Sequence, residues 1–579
     1  MQLRELRAHH YMRGYSPKGL AAQSGSRPSG RIPSRSPESG AVSGLLKRPL
    51  SSMTLASLAV AVLLGACSVG PDYVRPAVET PAAYKEAGNW KPAQPRDDVD
   101  RGKWWEVFND PLLNQMQEQV DISNQNLAKA EAQFRQALAL VQSARADYYP
   151  SVTGGISNTR SRSSATTIAT PSVAPVSRGV ATSHNLPFQA SWAPDVWGSV
   201  RRTVESNEAG AQASAGDLAA ARLSAQAALA QSYFQLRALD SEKLLLEDTV
   251  AAYGKSLKLV QNQYAAGVVA KADVVQAQTQ IKTAQAQSID IDAQRALLEH
   301  AIASLMGKPP SDVSIPRQAL QASVPLAPAE LPSELLERRP DIAAAERRMA
   351  QANAQIGVAT AAYYPALTLS ASTGYQSATM TDWFTAPSRY WSFGPAIALS
   401  LFDGGLRQAQ TAQAIANYDA SVAAYRQTVL AGFQQVEDSL ATLRILEQEA
   451  EVQGEAVALA QEALTLALNQ YKAGTVNYLN VVVIQAAALA NQRTAVDILS
   501  RRVSASVQLV TALGGGWEPS AEELAGPNAL RPDRDALGAA PWPVPTTASG
   551  ASTRTAPGAP TRTASGASIG TAPGAATGK

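Results

Sequence analysis

Residues 263–267 read Gln-Tyr-Ala-Ala-Gly, and residues 470–474 read Gln-Tyr-Lys-Ala-Gly. The two pentapeptides lie 207 positions apart. Three further pairs of identical residues share this offset: Gly198 and Gly405, Val274 and Val481, and Gly307 and Gly514. Four landmarks in one register indicate an internal duplication, in which one structural plan is used twice along the 579 residues.

Each pentapeptide ends a stretch that favours a long, uninterrupted helix. Proline is absent between Pro194 and Pro309 and again between Pro395 and Pro519, and a proline inside a helix would break it. Apolar residues precede each pentapeptide at the alternating spacing of three and four that is typical of coiled coils. They are Leu246, Val250, Tyr253, Leu257, Val260 and Tyr264 in the first copy and Val457, Ala460, Leu464, Ala467 and Tyr471 in the second.

This spacing predicts two long helix pairs. A helix that begins at Ser199 would run about 100 Å at about 1.5 Å per residue, reverse at Gly267 and return to Met306. The second pair would reverse at Gly474 and return to Leu513. Glycine suits both reversals because it adopts the left-handed backbone that ends many helices.

Each repeat also contains segments with the period-two alternation of β-strands, after Tyr148-Tyr149-Pro150 and after Tyr363-Tyr364-Pro365. Alternation over about ten residues, with aromatic residues near the ends, is typical of membrane barrel strands. The more apolar side of the alternation comprises Phe188, Ala190 and Trp192 in the first repeat, and Leu367, Leu369, Ala371, Thr373, Tyr375, Trp391, Phe393, Ile397, Leu399 and Leu401 in the second. The polar loop at 160–183 is predicted to face the cell exterior.

Four strands per chain have a consequence for assembly. Known membrane barrels need at least about eight strands, and open sheet edges in lipid would leave backbone groups unpaired. The chain must therefore oligomerise, and three copies would supply twelve strands. The predicted fold class is mainly α with a membrane β part, and the long helices would extend into the periplasm.

The N-terminal residues read as an export signal. Lys47 and Arg48 precede an apolar run at 55–63, which is too short to span a bilayer and suits a secretory signal. The run ends in Leu64-Gly65-Ala66-Cys67, which resembles a bacterial lipobox. We expect diacylglycerol and an N-acyl chain on Cys67, which would become the first residue after cleavage. The next residue is Ser68 and not Asp, which favours sorting to the outer membrane. Two acyl chains give stable anchoring.

The composition excludes several function classes. Cys67 is the single cysteine, so an intrachain disulfide or a thiolate metal cluster is impossible. Cleavage before it would leave a net charge of about −5, with no basic patch for nucleic acid. The four histidines form no metal or catalytic motif. We expect no catalytic residues, no metal and no cofactor beyond the lipid. Pro340 with Asp341 is interpreted as a helix start, and Arg338 and Arg339 as residues that make ion pairs or loop hydrogen bonds.

Several motifs together resemble the TolC-like outer-membrane efflux proteins, specifically the lipoprotein branch that works with resistance-nodulation-division (RND) pumps. They are Cys67-Ser68-Val69-Gly70-Pro71-Asp72-Tyr73, then Trp104-Trp105, Phe108, Asp110-Pro111 and Leu112, then Arg338-Arg339-Pro340-Asp341-Ile342 with Glu346, and the two pentapeptides. The resemblance spans about 67–517.

The resemblance implies a homotrimer with a β-barrel pore in the outer membrane and a periplasmic α-barrel of twelve helices. It implies an equatorial belt, a periplasmic adaptor protein docked on the helix-pair ends and an inner-membrane RND transporter as the energy source. The implied docking residues are Tyr264, Gly267, Val268, Tyr471, Gly474 and Thr475. The implied gate positions are Asp273, Asn480 and Val483, of which the last two depart from the acidic family pattern. Coiled-coil spacing equally suits Tyr264 and Tyr471 for packing in the helix seam. The alternative for Asp273 is an ordinary solvated acid at a helix start, favoured by the helix dipole.

The predicted domain boundaries follow the repeats. The leader is 1–66 and the N-terminal equatorial segment 67–104. The first repeat, 105–306, comprises a helix, a β-hairpin at 149–196 and a helix pair at 197–306; a linker follows at 307–330. The second, 331–513, comprises a helix, a β-hairpin at 364–402 and a helix pair at 403–513. An equatorial segment and a disordered tail occupy 514–579.

Three functions fit these features. The first is the exit duct of a tripartite efflux pump, through which small molecules such as drugs pass passively. The second is the outer-membrane duct of type I protein secretion, against which the lipobox and Gly70-Pro71-Asp72-Tyr73 argue. The third is a periplasmic coiled-coil scaffold or adaptor, against which the alternating strands argue.

Overall fold

The computed structural model describes residues 69–77, 81, 84–87, 101–162, 180–321 and 338–515. Cys67, the leader and the tail therefore lie outside the described residues. The helices are α1 (Pro111–Ser123), α2 (Gln125–Ala146), α3 (Ser199–Ala265), α4 (Lys271–Leu305), α5 (Pro340–Ala361), α6 (Leu406–Lys472) and α7 (Tyr478–Ala512). The strands are β1 (Ser151–Gly154), β2 (Ser157–Ser161), β3 (Ala181–Trp192), β4 (Ala366–Ser377) and β5 (Arg389–Ala398).

The duplication is visible in the helix lengths. Helices α3 and α6 each contain 67 residues, and their return partners α4 and α7 each contain 35. Helix α3 packs against α4 and α5, and α6 packs against α5 and α7. None of the described helices combines the length and the apolar character that crossing a membrane requires.

The reversals occur at the predicted glycines. Gly267 has φ of 73° and Gly474 has φ of 75°, in the left-handed region that favours glycine. The N–H of Val268 donates to the Gln263 carbonyl at 2.9 Å, and that of Thr475 donates to the Gln470 carbonyl at 3.0 Å. These bonds complete a Schellman motif at the C-terminus of each long helix.

The strands form one antiparallel sheet with four lateral positions. Strand β3 pairs with β4, and β4 pairs with β5. Strands β1 and β2 both pair with the other edge of β3, so they are two pieces of one interrupted strand. Each repeat thus supplies one β-hairpin, as predicted, and the described sheet has two open edges.

Strand β5 ends earlier than its alternation predicts. It stops at Ala398, so Leu399 and Leu401 lie beyond the sheet. There the chain turns into α6: the Arg407 guanidinium donates to the Ser400 carbonyl at 2.7 Å, and the Gly405 N–H donates to Asp403 at 3.0 Å. The Ser400 carbonyl is thus bound by Arg407, and β4 itself begins at Ala366, opposite Ala398, so the ladder ends there.

The register divides the sheet into two chemically different faces. One face is rich in aromatic and branched residues: Val152, Leu186, Phe188, Ala190, Trp192, Leu367, Leu369, Ala371, Thr373, Tyr375, Trp391, Phe393 and Ile397. The opposite face is mainly polar or small, although it also contains Pro187 and Tyr390: its other members are Gln189, Ser191, Thr368, Ser370, Ser372, Gly374, Gln376, Ser392, Gly394 and Ala396. This division is typical of a barrel wall between lipid and an aqueous lumen.

The predicted single helix before the first hairpin is divided into α1 and α2. The Asn124 carboxamide oxygen accepts bonds from the N–H groups of Asn126 and Leu127, at 2.9 and 3.1 Å. Its amide group donates to the Leu305 carbonyl at 2.7 Å. Asn124 thus ends α1, caps α2 and fixes the break against the end of α4, because an N-cap residue leaves the helical backbone conformation.

Two apolar clusters lie beside the segments that connect the repeats. In the first, buried Trp104 and Trp105 pack with Tyr233 and Phe234 of α3 and with Ile315 of the linker. In the second, Tyr84 packs against α5, α6 and α7. Parts of the predicted equatorial segments are therefore packed onto the helices.

Candidate functional site

The ends of the two long helix pairs are joined by a small apolar cluster, here called the tip cluster. It consists of Val260, Ala277, Tyr471, Tyr478, Val481 and Val482, all buried. The rings of Tyr471 and Tyr478 lie 5.4 Å apart between centroids. Residues from both pairs contribute to the cluster, so it holds the two pairs together at this end.

Burial raises the pKa of both tyrosines in the tip cluster. It raises the pKa of Tyr478 to about 12, with further contributions from Tyr471, Tyr253 and Asp273. Burial also raises the pKa of Tyr471, and the Asp273 carboxylate adds to this shift. A tyrosine phenol is already neutral around neutral pH, so burial extends the neutral form of both phenols to more alkaline pH.

The predicted docking residues divide into exposed and buried positions. Tyr264 is 46% exposed and Val268 is 71% exposed, whereas Tyr471 is only 3% exposed. Gly267, Gly474 and Thr475 lie at the surface. The two ends thus present an exposed surface around the reversals, but Tyr471 does not belong to it.

The duplication offset explains why Tyr471 is buried and Tyr264 is not. Tyr471 packs against Tyr478, and the residue 207 positions before Tyr478 is Lys271. Lysine offers no ring to pack against and keeps its charged amine in water. Seam packing at this position therefore occurs in the second repeat only.

The predicted gate residues lie on two different helices. Asn480 and Val483 share an exposed face of α7, where Val483 is 59% exposed. The Asn480 N–H donates to the capping side chain of Asn477 at 3.1 Å. Asp273 lies in the first turn of α4, close enough to Tyr471 and Tyr478 to influence their pKa. The structure brings Asn480 and Val483 together, and their role in gating stays a prediction.

Further polar contacts between the helix pairs were not predicted from the sequence. The Gln485 amide donates to the Ser256 hydroxyl at 3.2 Å, in buried surroundings. The Arg493 guanidinium donates to Glu242 at 2.6 Å. These contacts join α7 to α3 at successive levels away from the tip cluster.

A buried ionic cluster fastens the linker to the first helix pair. The Asp240 carboxylate, whose side chain is 1% exposed, accepts from Arg295 at 2.8 Å and from Arg237 at 3.3 Å. The same two guanidinium groups donate to the carbonyls of Ile315 and Pro316, at 2.5 and 2.6 Å. The only sequence signal is the helical spacing of Arg237 with Asp240.

The predicted helix start at Pro340 is confirmed. Arg339 precedes it and forms an ion pair with Asp341 at 2.7 Å. Its guanidinium also donates to the Ala512 carbonyl at 3.0 Å and to Gln435 at 2.8 Å. The cluster of charges thus ties α5 to α6 and α7. Within the described ranges no group of acidic, cysteine and histidine side chains could hold a metal ion.

Comparisons with known proteins agree with this architecture. Residues 117–308 and 331–515 match the model of the family described as outer membrane efflux protein. Outer membrane protein OprJ of Pseudomonas aeruginosa is 30% identical over 467 residues, which are 80% of this chain and 96% of that protein. Nodulation protein T of Rhizobium leguminosarum bv. trifolii is 29% identical over 472 residues, which are 80% of this chain and 97% of that protein.

A solved structure shares the fold over most of the described chain. The outer-membrane channel OprN superposes with a TM-score of 0.72 at 28% identity, covering 78% of this chain and all of that one. The family match covers both repeats, and the relatives are matched over nearly their full length. This chain therefore belongs to the outer membrane efflux protein family.

Proposed function

We propose that three copies of this chain form the outer-membrane exit duct of a tripartite efflux pump. The observation that carries the proposal is the two-faced, four-position sheet with open edges at β1/β2 and at β5. Open edges are not tolerated in lipid, so the edge of one copy must pair with the edge of the next. Three copies give twelve strands, enough to close a barrel around a lumen.

The height of the sheet supports its place in the membrane. Ala366 and Ser377, the two ends of β4, are eleven residues apart. That separation is about 36 Å along the strand at about 3.3 Å per residue. At a tilt of about 40° it becomes about 28 Å along the barrel axis, close to the apolar band of outer-membrane barrels.

The long helices carry an apolar surface that a second copy would cover. Exposed apolar residues recur every seven positions on α6: Ile445, Val452, Leu459 and Leu466. Helix α4 exposes Val275, Ile289 and Leu297. A seven-residue repeat is the spacing of helix seams, so the stripe on α6 supports lateral packing of neighbouring copies into one periplasmic tunnel, and α4 offers further apolar surface for it.

In this arrangement the helix-pair ends are the part of the duct farthest from the outer membrane. The exposed surface around Tyr264 and Val268, together with Gly267, Gly474 and Thr475, would dock a periplasmic adaptor protein. An inner-membrane RND transporter would supply the energy, and the duct itself would act passively and without catalytic chemistry. Separation of the tip cluster would let the two helix pairs move apart, with Asp273, Asn480 and Val483 at the opening.

Substitution of Val268 tests the docking surface. Val268→Glu adds a charge to a side chain that is 71% exposed, so we expect normal folding and insertion. We expect the variant to lose its ability to restore drug tolerance in a strain lacking the wild-type chain, because a charge in an apolar contact weakens docking. Growth on graded concentrations of exported drugs, with immunoblots of outer-membrane fractions, measures both quantities.

Ser311→Glu is the matched control, since Ser311 is also exposed but lies in the linker after α4. It should retain drug tolerance. If Val268→Glu supported wild-type tolerance at equal protein levels, the docking assignment would be wrong.

A further inference from the structure

The outward face of the sheet contains an apolar furrow that follows β4. Its floor consists of Ala190, Ala371 and Thr373, its walls of Phe188 and Val152 on one side and Trp391 and Phe393 on the other. The furrow has a volume of about 410 Å³. The residues of its floor and walls belong to the apolar face of the sheet, which would face lipid, so this furrow would be open to the membrane.

Two local contacts keep the furrow open. The ring of Phe188 lies over Gly154, where an added Cβ would approach it to 3.1 Å, so the ring leans towards β1 and away from the floor. The Thr373 hydroxyl donates to the Tyr390 carbonyl at 3.1 Å. Its hydrogen-bonding capacity is therefore used by the backbone of β5, which leaves the floor without a competing polar group.

The positively charged residue Arg389 lies at the upper end of this furrow, the end next to the loop between β4 and β5. Arg389 pairs in register with Tyr375, two residues along β5 from Trp391, which is about 6.6 Å at about 3.3 Å per residue. Arg389 is exposed, and among the described residues it has no ion-pair partner. The nearby loop carboxylate of Asp382 instead accepts from the Thr379 hydroxyl at 2.7 Å. At the lower end, the outward-facing Leu367, Leu369 and Ile397 carry no charge.

Aromatic side chains surround the level of Arg389. The Phe384 ring packs against Tyr375 with centroids 5.7 Å apart and stacks on Trp383 at 4.8 Å. Phe384 and Met380 of the same loop are each 64% exposed. Exposed aromatic residues at a barrel end mark the level of the lipid headgroups, so Arg389 lies where a headgroup phosphate would be.

From this geometry we infer that the furrow is a binding site for a phosphorylated outer-leaflet lipid, with one acyl chain between Phe188 and Trp391 and its phosphate on Arg389. The inference rests on the proposed membrane position of the sheet. The furrow supplies apolar contact along the chain, and arginine matches phosphate geometry with parallel N–H donors. The absence of charge at the lower end gives the bound lipid one orientation.

Native mass spectrometry of the full assembly tests this inference. The detergent-extracted protein is incubated with bis-phosphorylated lipid A, with diacylglycerol of matched acyl length, or with inorganic phosphate. We expect retention of lipid A by the wild type and weak retention of the other two probes. Arg389→Gln should lower lipid A retention about tenfold, and Ala371→Leu, which fills the floor, should lower it about threefold.

Two matched controls keep the test specific. Arg135→Gln removes an exposed arginine of α2, a helix outside the sheet. Ala396→Leu adds the same bulk on the opposite face of β5. Both should retain lipid A as the wild type does. Equal loss from Arg135→Gln, unchanged retention in Arg389→Gln and Ala371→Leu, or equal retention of diacylglycerol would each overturn the inference.

The same preparations separate this inference from the proposed function. Every variant is first checked for outer-membrane insertion and for assembly of several copies. Failure of the wild type to insert or assemble would contradict the exit duct, and the lipid site with it. A correctly inserted assembly in which Arg389→Gln retains as much lipid A as the wild type would contradict the lipid site alone.

Discussion

At the scale of single residues, Asp240 illustrates how a buried charge holds two segments together. It lies between two guanidinium groups that also bind the linker carbonyls of Ile315 and Pro316. Removing the charge of a buried carboxylate with two cationic partners is strongly destabilising: Asp240 is the carboxylate partner of Arg237, and Arg295 would keep only its ion pair with Glu299. The cluster therefore fixes the linker on the first helix pair.

Replacement of Asp240 should destabilise the protein. Asp240→Asn keeps the shape but removes the charge, and we expect the free energy of unfolding to fall by about 3 kcal/mol. Asp217→Asn is the control on the same helix, since the Asp217–Arg348 pair is about half exposed. An exposed pair contributes at most about 1 kcal/mol. Thermal unfolding of the two detergent-solubilised variants measures the difference, and equal melting temperatures would disprove a special role for Asp240.

A second prediction at this scale concerns Cys67, which lies outside the described residues. Cys67→Ser should leave the channel folded but less firmly anchored, because the expected acyl chains are absent. Metabolic labelling with palmitate and washing of outer-membrane fractions give the measurement. An acyl-labelled Cys67→Ser protein would show that the lipid is attached elsewhere.

Residue contacts across long sequence separations were the hardest features to predict. The break at Asn124 depends on the Leu305 carbonyl, and the bond from Gln485 reaches Ser256, 229 positions away. No local pattern encodes such pairs. By contrast, the exposure of Tyr264 could have been anticipated from Lys271, which replaces Tyr478 at the duplication offset.

At the scale of elements, the long helices were predictable because their signals are local. Glycines at both reversals, the absence of proline and the alternating apolar spacing are all present in the sequence, and α3 begins at Ser199 as predicted. Strand ends were less predictable. Alternation continues to Leu401, but β4 begins opposite Ala398 and Arg407 binds the Ser400 carbonyl, so β5 ends at Ala398.

The two faces of β4 lead to a prediction for adjacent residues. Leu369 belongs to the apolar face, so Leu369→Arg should impair insertion by about 2–4 kcal/mol near the membrane midplane. Ser370 belongs to the polar face, so Ser370→Arg should insert normally. Immunoblots of purified outer membranes compare the two variants with the wild type. Normal levels of Leu369→Arg, or loss of Ser370→Arg alone, would mean that the faces are assigned in reverse.

At the scale of the whole molecule, the duplication explains the architecture of the chain and why its sheet has open edges. Each repeat supplies one β-hairpin and one long helix pair, and together they give a sheet with two open edges. The alternation and repeat register predicted the fold class, which the family match and the OprN superposition confirm. Assembly with other copies and pump components stays a proposal, because those contacts involve surfaces of partner molecules.

The mass of the mature protein in native mass spectrometry tests the central claim most directly. The full chain is extracted from outer membranes in mild detergent and measured without chemical crosslinking. The account predicts a trimer, because three sheets of four positions close a barrel and three sets of helices cover the exposed apolar residues of α4 and α6. A monomer with intact outer-membrane localisation would contradict it, since the open edges of one sheet cannot persist in lipid.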